Sequence, residues 1–325
     1  MPVWYIDFVL LTPIQGEDSP AYIGEPGGDK KTVKRWQDLE SVYQRLRWAV
    51  RLMLPAHRGI GWNWQVKGVR SDPYAKFPRW KYVILHSGWA LFFYAQSTVM
   101  LIVLGWAIET QQRAMNSEFW NSATLNALIG WSGATWVWDR LSCAYHMAAA
   151  LSVAAGICST WEWPPLMGSL KDSWSVRQMW STVYHQTFRR MFSQPAMRIT
   201  RALGFRKGTL PSRYMQLYLS FGISCILHQF QMFNVTRRDM GEFNFFMSQA
   251  VAITIEDFVR WAWRKLHGSS PSRRFDLLMG YAWTFTWFSF SLHVYIKGLV
   301  AANVIEDWLF GVDPINFGKS MSLKV

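Results

Sequence analysis

The chain has 325 residues, 34 Lys and Arg against 21 Asp and Glu, a formal net charge of +13, and 21 Trp among a composition that is 50% hydrophobic. A soluble domain of this length rarely carries so much Trp, whereas membrane proteins place Trp and Tyr at both lipid interfaces. The mean hydropathy is zero because apolar runs alternate with basic loops, a distribution that argues against a nucleic-acid partner and fits cytoplasmic loops between membrane segments.

The opening stretch, Met1 to Ile14, lacks the basic n-region and small-residue cleavage site of a removable signal peptide and reads as a short membrane segment, the remnant of a longer one. Gln15 to Lys31 is polar and turn-rich, as a mobile linker would be. These divide the chain into an N-terminal segment with linker, 1–32, and a membrane domain, 33–325. In 33–54, Trp36, Leu39, Val42, Tyr43, Leu46, Val50 and Leu54 recur at helical spacing among charges, the pattern of an interfacial amphipathic helix. Arg58-Gly-Ile-Gly-Trp-Asn63-Trp follows, with two glycines spaced for a tight turn and Trp residues suited to an interface or an alkyl substrate. It lacks the third glycine and the strand-to-helix setting of a dinucleotide loop.

A helix rises about 1.5 Å per residue, so about 20 apolar residues span a bilayer core. That measure predicts spans at 82–107, 214–234, 244–263 and 276–302. The stretch 122–158 is interrupted by Asp139-Arg140 and reads either as two tight helices or as one crossing with a re-entrant piece. Placing the basic loops 30–81, 171–213 and 264–274 in the cytoplasm requires 122–158 to cross an odd number of times and the turn Val235 to Phe243 to be luminal. Arg237 and Arg238 in that turn run against the rule. No internal repeat or strand alternation is present, so the expected fold is all-α, a polytopic transmembrane helical bundle. Cys143, Cys158 and Cys225 have no metal-type spacing, and neither a disulfide framework nor a metal site is expected.

Within the run Tyr214 to Asn234 sits His228. An ionisable side chain in hydrocarbon costs several kcal/mol unless it faces a cavity or a partner, so its default reading is functional. Imidazole is the side chain suited to take a proton from a hydroxyl at neutral pH, a service worth about 10²–10⁴ in rate. Ser224 and Cys225 share roughly its helical face, but a same-helix hydroxyl seldom meets the imidazole nitrogen, so close helix packing or a backbone hydrogen bond is the expected role of Ser224. His293 and Lys297 lie one turn apart in 276–302, with Lys297 expected to snorkel to an interface. His86 and His146 are expected to be satisfied packing residues. Glu256-Asp257 are expected to be structural, facing a cavity or Arg260.

Three segments carry a resemblance. They are Arg58 to Trp64; Ser175-Val-Arg177-Gln-Met-Trp180-Ser-Thr-Val-Tyr184-His185-Gln186-Thr-Phe-Arg189-Arg190; and Ser220-Phe-Gly-Ile-Ser224-Cys-Ile-Leu-His228. In this order they resemble the fungal wax synthase-like branch of the membrane-bound O-acyltransferases, including acetyltransferases of terpenoid and meroterpenoid biosynthesis. The resemblance covers most of the chain from about Trp36 onward, including the late segment Gln249 to Asp257. The second segment departs from the family pattern at Met179, Ser181, Thr182 and Tyr184 while keeping the aromatic and His-Gln frame.

The resemblance implies a multi-pass enzyme of the endoplasmic reticulum that moves an acetyl group from acetyl-CoA to a hydroxyl of an apolar alcohol, with no bound cofactor. On this reading His228 is the general base and His185 the second catalytic position, polarising the thioester carbonyl or donating to the oxyanion. Trp180, Tyr184, Gln186 and Ser224 contact substrate, and Arg177, Arg189 and Arg190 meet the phosphates of coenzyme A, for which guanidinium is well shaped. Partners are acyl-CoA, the alcohol and the bilayer. Two alternatives remain: a wax-ester or sterol acyltransferase with a long-chain donor, and a transporter or scaffold in which His228, His293 and Lys297 form an ion path. Related acyltransferases often have more spans before the first segment, so a shortened, inactive product is also an expectation.

Overall fold

The computed structural model describes residues 19–25, 33–53, 58–114, 119–184, 186–268, 272–305 and 312–322. Its elements are β1 (Ala21–Tyr22), β2 (Lys34–Arg35), α1 (Val42–Met53), α2 (Arg79–Arg113), α3 (Phe119–Ala154), α4 (Arg189–Ala202), α5 (Leu210–Thr236), α6 (Glu242–His267), α7 (Arg273–Ala301) and α8 (Pro314–Ser322). The second motif lies between α3 and α4 as one α-helical turn, Val176–Gln178, a π-helical segment, Met179–Val183, and a 3-10 turn, Gln186–Phe188. The described fold is all-α apart from the two-residue antiparallel pair β1/β2, a pairing that no alternation in the sequence announces.

Three elements differ from expectation. The stretch 122–158 is neither two helices nor re-entrant; α3 runs unbroken through Asp139-Arg140. Arg140 leaves the helix axis to lie 4.6 Å over the ring of Tyr94, so its charge does not stop the helix. The amphipathic segment 33–54 is helical only from Val42, because Lys34–Arg35 pair with Tyr22–Ala21 and Trp36–Asp38 form a 3-10 turn. Leu54 and the stretch 1–14 lie outside the described residues, as does most of the expected linker, of which Ala21–Tyr22 forms β1.

The chain forms two compact units. The first comprises 1–84, 149–170 and 180–220. Trp48, Trp62 and Leu39 form an aromatic core there, with Trp48 edge-on to Trp36 and Trp62 at 5.8 and 5.1 Å. The Arg58–Trp64 turn anchors it. Gly59 has φ +66° and a Cβ there would lie 2.6 Å from the Trp64 ring, so only glycine fits. Arg58 is buried and donates to the carbonyls of Pro164 and Pro165 at 2.6 Å each, while Asn63 donates to the Ser19 carbonyl and accepts from the Ala21 amide. Tyr22 donates to Glu162, and burial beside that carboxylate pushes its phenol up to about 12. The first motif is therefore the architectural joint of this unit.

The second unit comprises 85–148, 171–179 and 221–325. Leu101 and Leu104 of α2, Ile129 of α3, Met232 of α5, Ile296 and Leu299 of α7 and Ile315 of α8 form its core. Glycines let backbones touch: a Cβ on Gly105 would lie 2.1 Å from the Ile315 carbonyl oxygen, and one on Gly298 2.1 Å from that of Met240. Such small-residue contacts are the usual way long apolar helices pack in the absence of a hydrophobic drive between them. Polar residues join this apolar core while large apolar ones remain at the surface. Ser97, Asp139, Gln249 and Glu256 are buried, while Leu91, Phe92, Ile226, Phe230, Phe258 and Phe285 are exposed. By length and composition α2 is the one described helix long and apolar enough to cross a membrane.

Candidate active site

His228 lies in the last third of α5, whose run of Leu, Ile, Phe and Tyr gives a continuous helix ended by Thr236, whose hydroxyl bonds back to the Met232 carbonyl. In the second unit its ring is held on two sides. Phe246 of α6 stacks on it at 4.4 Å and 14°, and Tyr295 of α7 meets it edge-on, with the phenol oxygen 3.1 Å from Nδ1. Phe245 stacks in turn on Tyr295 at 5.2 Å. With Nδ1 engaged, Nε2 is the ring nitrogen left without a hydrogen-bond partner among the described residues. Ser224 is buried one turn earlier and is not bonded to His228, and Cys225 is a buried free thiol, so no Ser–His or Cys–His relay is formed.

A ladder of polar contacts joins α6, α7 and the start of the second motif. Gln249 accepts from Trp287 Nε1 at 3.0 Å. Glu256 accepts from Trp283 Nε1 at 3.0 Å and from the backbone amides of Val176 and Arg177, and Asp257 pairs with the Arg177 guanidinium. Glu256-Asp257 thus grip the start of the second motif, and Arg260, the partner expected for them, pairs with Asp276. Ser175 caps the motif's first turn by accepting from the Gln178 amide. Sequence reasoning marked Glu256 as structural and missed what it holds.

The rest of the second motif belongs to the first unit. Trp180 and Tyr184 pack edge-on at 5.4 Å. The π-helical segment releases the Ser181 carbonyl, which accepts from both Gln186 Nε2 at 3.1 Å and Arg189 Nη1 at 3.2 Å. π segments are frequent at functional sites because they leave such groups available. Gly168 packs so closely that a Cβ would lie 2.2 Å from the Thr182 carbonyl oxygen. Burial pushes the Tyr184 phenol well above its ordinary value and lowers Arg189 from its own. Gln186 is buried and its Oε1 has no hydrogen-bond partner among the described residues. Arg190 lies 4.8 Å over the Trp64 ring. His185 lies outside the described residues.

The remaining polar groups are also placed. His86 and His146 are hydrogen-bonded to each other through their Nδ1 atoms at 3.0 Å, as satisfied packing residues would be. Lys297 does not reach for an interface; its ammonium donates to Asn126 Oδ1 at 2.7 Å, which also accepts from Gln111, so the interior amide replaces solvent. Among the described residues no group of three or more His, Cys, Asp or Glu could hold a metal. Sequence reasoning missed Tyr295 and Phe246. An aromatic residue on an aromatic-rich helix carries no local signal of its partner 67 positions away.

The membrane bound O-acyl transferase family matches residues 163–248, which hold both the second motif and His228. Relatives align along most of the chain. Acetyltransferase eriL of Hericium erinaceus is 31% identical over 78% of this chain and 66% of its own length. Acetyltransferase ple2 of Rhodocybe pseudopiperita is 28% identical over 88% and 72% respectively. O-Mevalon transferase macI of Penicillium terrestre is 29% identical over 82% and 65%. The chain thus spans about two thirds of the length of these relatives. No solved structure matches it. With the family's match over its central segment and the relatives' match over most of the rest, the chain belongs to the membrane bound O-acyl transferase family.

Proposed function

We propose that this protein is an acyl-CoA-dependent O-acyltransferase that acetylates a hydroxyl of an apolar, terpenoid-type alcohol, with His228 as general base. His228 Nε2 takes the hydroxyl proton as the oxygen attacks the thioester carbonyl carbon; the new C–O bond forms, the C–S bond breaks, and the proton passes to the departing thiolate to give coenzyme A. The observation that carries this reading is a histidine clamped by Phe246 and Tyr295 with one ring nitrogen unengaged, on a helix within the family match. Covalent catalysis through Ser224 or Cys225 finds no support in the contacts of His228.

The acetyl donor follows the relatives named acetyltransferases. The O-mevalon transferases among the relatives favour a second reading, a larger acyl group on the same chemistry. His185 remains the proposed second catalytic residue. Trp180, Tyr184 and Gln186 contact substrate on this reading; the buried, unpartnered Gln186 Oε1 suits an N–H donor such as the amides of the pantetheine arm. Arg189 and Arg190 are the proposed phosphate ligands, with Arg177 a lesser one because Asp257 already neutralises it.

The protein is, on this reading, a multi-pass protein of the endoplasmic reticulum membrane. The many exposed large apolar residues of α2, α5, α6 and α7 support it, since lipid would cover them.

The test is expression of wild type and His228→Ala in yeast microsomes with labelled acetyl-CoA and a panel of terpenoid alcohols that includes farnesol. Ester from wild type alone is the expected result. Ester from both proteins at equal rate would remove His228 from the chemistry, and none from either at good expression would sink acetyl transfer.

A further inference from the structure

We infer that Tyr295 is the positioning residue for His228, accepting a hydrogen bond from Nδ1–H and thereby directing the basic lone pair to Nε2. This rests on the proposed role of His228 as base.

A neutral imidazole has one nitrogen that donates and one that accepts, and a hydrogen bond at one nitrogen fixes the role of the other. The Tyr295 oxygen lies 3.1 Å from Nδ1. If the phenol donated, Nε2 would carry the proton, and His228 could donate to an oxyanion but not remove a proton. If Nδ1 donates, Nε2 is unprotonated and available as the base. Once Nε2 has taken the hydroxyl proton, both ring nitrogens are donors, and an oxygen at Nδ1 then accepts a charge-assisted hydrogen bond, which is stronger than a neutral one.

No carboxylate is bonded to His228 among the described residues; its polar partner is Tyr295. A phenol is the economical choice at this depth in an apolar bundle, because it orients the ring without a second buried charge. Two aromatic neighbours hold the ring in this orientation. Phe246 lies flat on one face at 4.4 Å, and Tyr295 is itself fixed by stacking on Phe245 at 5.2 Å. Tyr295 thus does for His228 what a buried carboxylate does in a Ser-His-Asp triad, holding one nitrogen so that the other meets the substrate.

Tyr295→Phe removes the oxygen and keeps the ring. A hydrogen bond to a charged group is worth roughly 10- to 100-fold in rate, and this one strengthens as the base becomes charged. The experiment measures kcat and both KM values for Tyr295→Phe, His228→Ala and wild type in microsomes, with acetyl-CoA and farnesol or another panel alcohol found to be turned over, together with thermal unfolding of each purified protein in detergent. Tyr295→Phe is expected to lower kcat about 10- to 100-fold, with both KM values and the unfolding temperature near wild type. An unchanged or raised kcat in Tyr295→Phe, alongside an inactive His228→Ala, would overturn the positioning role and leave the base. A fall in unfolding temperature together with raised KM values would make Tyr295 a packing residue and overturn it equally. Wild-type turnover in His228→Ala would overturn the base reading first, whatever Tyr295→Phe does.

Discussion

On the proposed chemistry a histidine takes the hydroxyl proton, and the structure separates the histidines among the described residues by their partners. His86 and His146 bond to each other. The backbone nitrogen of His293 lies 2.9 Å from the Gly130 Cβ position of α3, and it is Tyr295 of the same helix that meets His228 of α5. Replacing His228 by Ala should therefore lower turnover by about 10²–10⁴ with the protein still in membranes. His293→Ala should leave kcat within a few-fold of wild type, and a larger loss there than at His228 would mean that the reacting histidine lies on α7. His185→Ala should slow turnover and raise the KM for acetyl-CoA, read in the same microsomal assay.

At the scale of elements, the second motif is held by a helix distant in sequence. Glu256 of α6 accepts from two backbone amides of the Val176–Gln178 turn and from Trp283 of α7. Glu256→Ala strands the buried Val176 amide, at about 1–3 kcal/mol, and the half-buried Arg177 amide and Trp283 Nε1, which water can reach in part, so it should unfold the detergent-purified protein at lower temperature. Glu256→Gln keeps one accepting oxygen and should cost about a third of that. The glycine contacts make a second, independent test. Gly298→Ala pushes a methyl into the Met240 carbonyl and should cost about 1–3 kcal/mol in the same measurement, whereas Gly222, with no atom within 4 Å of its Cβ position, should tolerate Ala.

For the whole molecule, α2 at 35 residues is about 52 Å long, more than a bilayer core, so on the proposed multi-pass reading its ends project into the interfaces. α5, α6 and α7 have 27, 26 and 29 residues, long enough to cross, with more polar residues turned inward. The multi-pass reading predicts retention in the membrane pellet after alkaline carbonate extraction. It also predicts that a thiol placed by Lys207→Cys, between α4 and α5, is labelled in intact microsomes by an impermeant maleimide, and one placed by Arg238→Cys, between α5 and α6, only after permeabilisation. Cys143 and Cys225 are buried, and the half-buried Cys158 is replaced by Ser in both proteins to remove its background. Labelling of both sites in intact vesicles would defeat the proposed topology.

The sequence by itself determined the long helices, because a run of twenty apolar residues has few other ways to satisfy its backbone, and it marked His228 because an ionisable group inside such a run is costly. It also placed the Arg58–Trp64 turn through its two glycines, and the described structure gives both positive φ, +66° and +76°. Tertiary structure decided the rest. Whether Asp139-Arg140 broke a helix depended on Tyr94 lying beside Arg140, and whether Lys297 went to solvent depended on Asn126 across the α3–α7 contact. Tyr295 and Phe246 became partners of His228 through helix packing. Periodicity along one helix fixes which face is buried. Which residue of another helix meets that face is set by how ridges and glycines fit between helices far apart in the chain, and that fit has no local signature.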